Sequence, residues 1–236
     1  MNDFEKVRIL DQKRRIIEAY DRASQTKQIL SFETVVESDG TFTVTYIRPL
    51  VDRIWFKASD HYPFYDTLGE TVARGEIAHF LSCLKETVKA QTIEGSTFTP
   101  EWLGAVIRSL RHERGELSLL ASFPDGYYRI MLDEKWNKSY NYETKRFQLK
   151  MNGFGIPIYG ISKNTMGSDI VILNKECCRV QYVLFHHSDL GIDSTLSVEI
   201  KPYEKDKNQT DILVRSTIKI DICRRELAKI FSFKSS

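Results

Sequence analysis

Apolar positions along this chain change their period several times, and each change predicts an element. Val7, Leu10, Ile17 and Tyr20 recur among charged residues at helical spacing, which predicts a helix over Asp3–Ala23. From residue 30 to 47 the pattern alternates instead. Phe32, Val35, Phe42, Val44 and Tyr46 interleave with Thr and Ser around Ser38-Asp39-Gly40, and Asp-Gly between two β-branched runs predicts a long hairpin. Ile54, Trp55 and Phe56 return the chain to the body. An ordered loop carrying Pro63 is expected over residues 60–69. The helical period then resumes over residues 70–92, where Ile77, Leu81, Leu84 and Val88 form a stripe and Glu, Lys and Gln fill the other face. Thr99, Pro100 and Glu101 signpost the start of a further helix bearing Trp102, Leu103, Val106, Ile107 and Leu110, with Gly115 as its stop.

The second half reads as strands. A strand over residues 117–121 leads through Phe123-Pro124-Asp125-Gly126 into a helix over residues 127–133. Gly153 and Gly155 bracket a bend, Pro157 fixes φ just beyond it, and Ile156, Ile158 and Tyr159 are expected to form a short apolar edge strand. A loop rich in Gly, Ser, Asn and Thr is expected over residues 160–168. Ile170 to Leu173 are consecutive and apolar, as in a strand covered on both faces. One helical turn over residues 174–178 precedes a half-buried strand with Val180, Tyr182 and Leu184. Two long alternating strands follow, over residues 195–203 and 211–223, and residues 224–231 are expected to close the chain as a helical turn.

Composition narrows the class. At 236 residues and 42% hydrophobic, the chain is long enough for a substantial core, as one elaborated domain or two small ones. A net charge of +2 argues against a protein devoted to coating nucleic acid or anionic membrane. Neither a signal-peptide core nor a membrane-length apolar window occurs. Cys83, Cys177, Cys178 and Cys223 match neither a disulfide framework nor a zinc pattern; Cys83 and Cys223 read as small core hydrophobes, and the adjacent pair as packing. The five histidines lack carboxylates at ligand spacing. No phosphate-binding loop, nucleophile elbow or HExxH pattern occurs, so no catalytic residue, cofactor or metal is expected.

The order of elements in residues 147–184 resembles the A-domain of the tailed-phage major capsid fold, the Hong Kong ninety-seven type, which encapsulin nanocompartment shells share. Asn152, Gly153, Ile156, Pro157, Met166, Asp169, Ile170 and Val171 carry the likeness. The resemblance implies an α+β subunit in four parts. Residues 1–29 would be an N-terminal helical arm and 30–57 an extended β-hairpin loop reaching over a neighbour. Residues 58–115, joined by strands from 195–236, would be the P-domain with its long spine helix, and 116–194 the β-rich A-domain.

On that likeness the chain is expected to be a non-enzymatic subunit that self-assembles, as pentamers and hexamers or pentamers only, into an icosahedral viral or prophage capsid around DNA. The alternative is an encapsulin shell around an enzyme cargo. A second alternative, a small intracellular α+β enzyme or ligand-binding protein, has no site in the sequence to support it. The shell reading places the protein in a virion assembled in the host cytoplasm, or in the cytoplasm if it is an encapsulin, without a membrane partner. Phe42, Val44 and Tyr46 are its candidate inter-subunit contacts. Lys13, Arg14 and Arg15 are candidate interior-facing bases for DNA or cargo, although charge runs of this kind commonly form a plain solvated face. Some capsids of the family cross-link a loop Lys to an Asn of a neighbour, and residues 32–47 contain no Lys.

Overall fold

A computed structural model describes residues 3–36, 48–57, 63–110, 116–151, 154–202 and 209–234. In chain order the first half supplies α1 (Asp3–Ala23), α2 (Gln25–Ile29), β1 (Phe32–Val35), β2 (Arg48–Lys57), α3 (Pro63–Thr87), β3 (Ala90–Ile93) and α4 (Pro100–Leu110). Next come β4 (Leu117–Phe123), α5 (Asp125–Met131), β5 (Lys138–Asn141), β6 (Arg146–Met151), β7 (Phe154–Ser162), α6 (Lys163–Met166) and β8 (Ile170–Asn174). The last third holds β9 (Cys178–Val183), β10 (Phe185–His187), β11 (Ile192–Ser194), β12 (Leu196–Pro202), β13 (Gln209–Ile222) and β14 (Ala228–Phe233). These elements divide into two units.

The first unit draws on residues up to Gln28, on Phe32–His79 and on Val180–Ile220. Its sheet is centred on β13, which pairs antiparallel with β12 from Leu196↔Ser216 to Pro202↔Thr210 and with β2 from Gln209↔Lys57 to Ile218↔Arg48. β1 adds in parallel to β9, from Phe32↔Val180 to Val35↔Val183. β1, at the start of the expected ribbon, and β2, the segment expected to return it to the body, are thus both built into this sheet, and Phe42, Val44 and Tyr46 lie outside the described residues. Ile16, Ile17 and Tyr20 of α1 and Tyr65, Leu68, Val72 and Ala73 of α3 bury against Leu196, Val198, Ile200, Ile212 and Val214. The two helices approach closely at Gly69, where a Cβ would lie 2.3 Å from the Ile16 carbonyl oxygen and 2.6 Å from the Tyr20 nitrogen.

Two sequence expectations change here. α3 starts at Pro63, so the loop expected over 60–69 is largely helix; Pro suits a first helical position, and Tyr65, Leu68 and Val72 extend the buried stripe upstream. The helix also stops at Thr87, and Ala90–Ile93 form β3, which pairs in parallel with β14.

The second unit comprises Phe80–Arg179, Asp221–Ser236 and the short Ile29–Ser31. Its seven-stranded sheet has the order β3-β14-β8-β4-β7-β6-β5. β8 runs antiparallel to both β4 and β14, and Ile170, Val171, Ile172 and Leu173 are all 0% exposed. Each such side chain contributes roughly 1.5–3 kcal/mol by burial. The stripe of α4, Leu103, Ile107 and Leu110, joins Leu119, Ile158, Ile170, Ile172 and Phe231 in one core. Asn174 closes α4 by donating from Nδ2 to the Leu110 carbonyl at 3.2 Å. Its Oδ1 accepts from the Glu176 N–H at 3.0 Å, capping the short 3-10 turn Lys175–Cys177.

Asp169, one of the residues carrying the capsid likeness, is a structural knot. Its carbonyl accepts from Ser122 N–H at 2.9 Å, its N–H donates to the Phe231 carbonyl at 3.0 Å, and its Oδ2 accepts from Phe233 N–H at 2.7 Å. Met166 beside it is fully buried. The strand expected at an edge, β7, is instead internal, paired with β4 and β6, and the expected loop over 160–168 is shorter than its composition implied: β7 runs to Ser162, α6 follows, and Gly167 ends it at φ +56°. The expected closing helical turn is also corrected. Only Arg225–Leu227 form a 3-10 turn, and Ala228–Phe233 become β14, because the slot between β3 and β8 leaves backbone hydrogen bonds that only a strand fills. Cys177 and Cys178 are buried as packing residues, whereas Cys223 is exposed and Cys83 half-buried, so neither of the latter is a full core residue.

Candidate functional site

The most concentrated polar chemistry lies inside the first unit, around Glu76 of α3, which is 0% exposed. Its Oε1 accepts from the Tyr20 hydroxyl at 2.6 Å and from the Ser216 hydroxyl. Its Oε2 accepts from the Tyr182 hydroxyl at 3.1 Å and the Ser24 hydroxyl at 3.2 Å. Thr195 Oγ1 sits 3.2 Å from the Tyr20 oxygen and extends the network. Lys27, ion-paired with Asp21 at 2.8 Å, holds its Nζ 4.5 Å from the centre of the Tyr20 ring. Burial pushes the Glu76 carboxyl above the usual carboxylate range, against hydrogen bonds from Ser216 and Tyr20, the Lys27 charge and the Tyr182 hydroxyl. Burial and the neighbouring Glu76 push the Tyr20 hydroxyl well up.

Four hydroxyls satisfy this carboxyl from α1, β9, β13 and the segment after α1, and no solvent reaches it. A carboxyl so enclosed cannot meet a substrate; it fastens the N-terminal helix to α3 and the sheet. The sequence held a signal for it. Val72, Glu76 and Phe80 recur at intervals of four along α3, so a carboxylate stands on the buried stripe of the helix.

The three candidate bases of α1 do not act alike. Lys13 is ion-paired with Asp189, leaving its side chain 15% exposed. Arg15 pairs with Asp11 at 3.3 Å, one helical turn earlier. Arg14 is exposed. Lys13 is therefore engaged by its own unit, while Arg14 makes no ion pair among the described residues.

Exposed aromatic groups gather at two places in the second unit. Phe123, Tyr127 and Tyr128 contact one another around the start of α5, beside Leu132, which is 75% exposed. Tyr140, Tyr142 and Phe147 form a second cluster on the β5–β6 hairpin, with ring centroids 5.1 and 5.2 Å apart. Sequence reasoning passed over both, because single exposed aromatics carry no pattern until the fold gathers them. Among the described residues no group of three or more His, Cys, Asp or Glu is placed to hold a metal ion, and no helix is long and apolar enough to cross a membrane.

No family model matches the sequence, and no curated protein sequence matches it. Solved structures do. A virus-like particle from Pyrococcus furiosus superimposes with a TM-score of 0.61 at 13% identity, covering 92% of this chain and 96% of that one. The capsid of the cyanophage P-SCSP1u gives 0.57 at 11% identity, over 91% and 89% of the two chains. The holo-SrpI encapsulin complex from Synechococcus elongatus gives 0.56 at 11% identity, over 89% of each. Superposition over about 90% of the chain on these subunits gives this chain the major capsid fold of tailed phages, the Hong Kong ninety-seven type, which encapsulin shells share.

Proposed function

We propose that this chain is the subunit of a closed, self-assembling protein shell, and first of all a viral or prophage capsid protein enclosing DNA. The observation that carries the reading is the extent of the likeness: 92% of this chain matches 96% of a particle-forming subunit, which leaves little of either chain for an unrelated activity. In this reading residues 1–29 are the helical arm, 30–57 the extended loop, 58–115 with strands from 195–236 the P-domain, and 116–194 the A-domain. The subunit itself catalyses nothing. Phe42, Val44 and Tyr46 contact a neighbouring subunit, and α1 presents Arg14, with Lys13 and Arg15 beside it, to the shell interior.

The encapsulin reading is supported by the match to an encapsulin complex at a TM-score similar to that of the phage capsid. The two readings differ in contents. Sedimentation velocity and negative-stain microscopy of the purified chain should show closed particles, or pentamers and hexamers, and a chain that stays monomeric or dimeric across salt and concentration would refute a shell role. Nuclease-protected DNA inside particles isolated from their source would assign a virion, and a co-purifying enzyme a cytoplasmic compartment.

A further inference from the structure

The β5–β6 hairpin forms one outer edge of the seven-stranded sheet, and its two ends are chemically complementary. At the turn, Asn141 Oδ1 accepts from the N–H groups of Glu143 and Thr144 at 2.9 and 3.1 Å, which fixes the shape of the loop. Tyr142 stands 84% exposed on it, its ring edge-on to that of Tyr140. The Glu143 carboxylate makes no ion pair among the described residues.

At the hairpin's other end, a cleft of about 430 Å³ opens between its base and α4. Met151, Leu149 and Trp136 line its wall, with Arg108, Lys135 and Lys150 also in its lining. Lys135 is engaged by Asp133 at 2.9 Å, but Arg108 and Lys150 have no acidic partner among the described residues. The acid in the rim, Glu101, is occupied at the start of α4, where its own backbone N–H and the Thr99 hydroxyl hold its carboxyl below the usual range. The cleft therefore offers an apolar wall and two cations without an acidic partner among the described residues, and the turn offers a ring and a carboxylate without an ion pair among them.

These surfaces sit at opposite ends of one two-stranded ladder, so a chain cannot seat its own turn in its own cleft without breaking β5–β6. The geometry points to a contact between copies: the Tyr142–Glu143 turn of one subunit seats in the Arg108/Lys150 cleft of a neighbour. The Tyr142 ring covers Met151, and the Glu143 carboxylate pairs with the Arg108 guanidinium, a planar fork suited to two hydrogen bonds, with Lys150 beside it. An exposed aromatic anchor flanked by a charge is the kind of residue pair that dominates interface energetics. This inference rests on the self-assembly reading and names one of its interfaces.

Charge exchange tests it. Glu143→Arg and the double replacement Arg108→Glu with Lys150→Glu should each raise the concentration needed for assembly by about tenfold or more, a shift typical of breaking an interfacial charge pair. All three replacements together should recover most of that loss, as a coupled pair does in a mutant cycle. Tyr142→Ser, which leaves every charge in place, should weaken assembly as well. All these positions are exposed or on the rim, so thermal midpoints should stay near the parent value. If the parent chain does not assemble, the shell reading and this contact fall together. If the parent assembles and the charge reversals assemble equally well, or the combined variant is worse than either, this contact alone is overturned.

Discussion

The Tyr20 hydroxyl donates to Glu76 Oε1 across 2.6 Å, joining α1 to α3 in the interior of the first unit. The bond is one of four on a carboxyl that water does not reach, and its value lies in what its loss would leave behind. Tyr20→Phe keeps the ring and removes one donor, which should cost about 1.5–3 kcal/mol, the range for hydrogen bonds to a charged group. Glu76→Ala strands four hydroxyls and opens a cavity, so it should cost more, about 3–5 kcal/mol. Denaturant unfolding monitored in the first unit checks the order, and an equal or smaller loss for Glu76→Ala would refute the network as the fastening.

The same carboxyl gives a pH signature of defined sign. Its pKa in the folded chain lies above the 4.5 of an unfolded Glu, so between those two values the folded state holds the extra proton. Stability contributed by the protonated form is fully present below 4.5 and is lost as pH rises through the folded value. Glu76→Gln removes the titration. The stability of the parent relative to Glu76→Gln should therefore increase on acidification toward pH 4.5 and be level at higher pH, above the folded value. A difference that is flat throughout, or that falls on acidification, would contradict the assignment.

Gly69 should tolerate no side chain. A Cβ there meets backbone atoms of α1 at 2.3 and 2.6 Å, and a helix backbone cannot yield as a flexible side chain can. Gly69→Ala should destabilise the first unit by about 1–3 kcal/mol despite the better helix propensity of Ala, with proteolysis of α1 as the local readout. Unchanged protease resistance and stability would mean that α1 is not seated on α3 as described.

On the proposed shell reading, particles should be held together without covalent links between chains. A nucleophilic amine must come within reach of the carbonyl it attacks, and residues 32–47 supply no Lys, with Lys27 before them and Lys57 after. Denaturing electrophoresis of assembled particles should show one band at 27.4 kDa. A ladder surviving heat and reductant would show that another residue supplies the nucleophile.

Local pattern was enough for the elements whose neighbours are dictated by their own apolar faces. Ile170 to Leu173 read as a strand covered on both sides because four consecutive apolar residues have no solvent face, and β8 lies between β4 and β14. The start of α4 was legible because Thr99, Pro100 and Glu101 answer the unpaired N–H groups of a helix within a few residues of chain. The order of such elements was enough to expose the likeness to a capsid fold. What tertiary structure decided are the features whose partners are distant in sequence. Residues 228–233 fit a short helix as well as a strand until β3 and β8 leave a slot between them. Glu76 stands on an apolar stripe for no local reason, and only the convergence of Tyr20, Ser24, Tyr182 and Ser216 accounts for it. Tyr142 and Arg108 mean little apart; a sheet edge places one at the turn of a hairpin and the other beside the cleft at its base. Periodicity fixes which face of an element is buried, because that depends on spacing along one backbone, whereas the identity of what covers that face depends on contacts the chain makes only when folded.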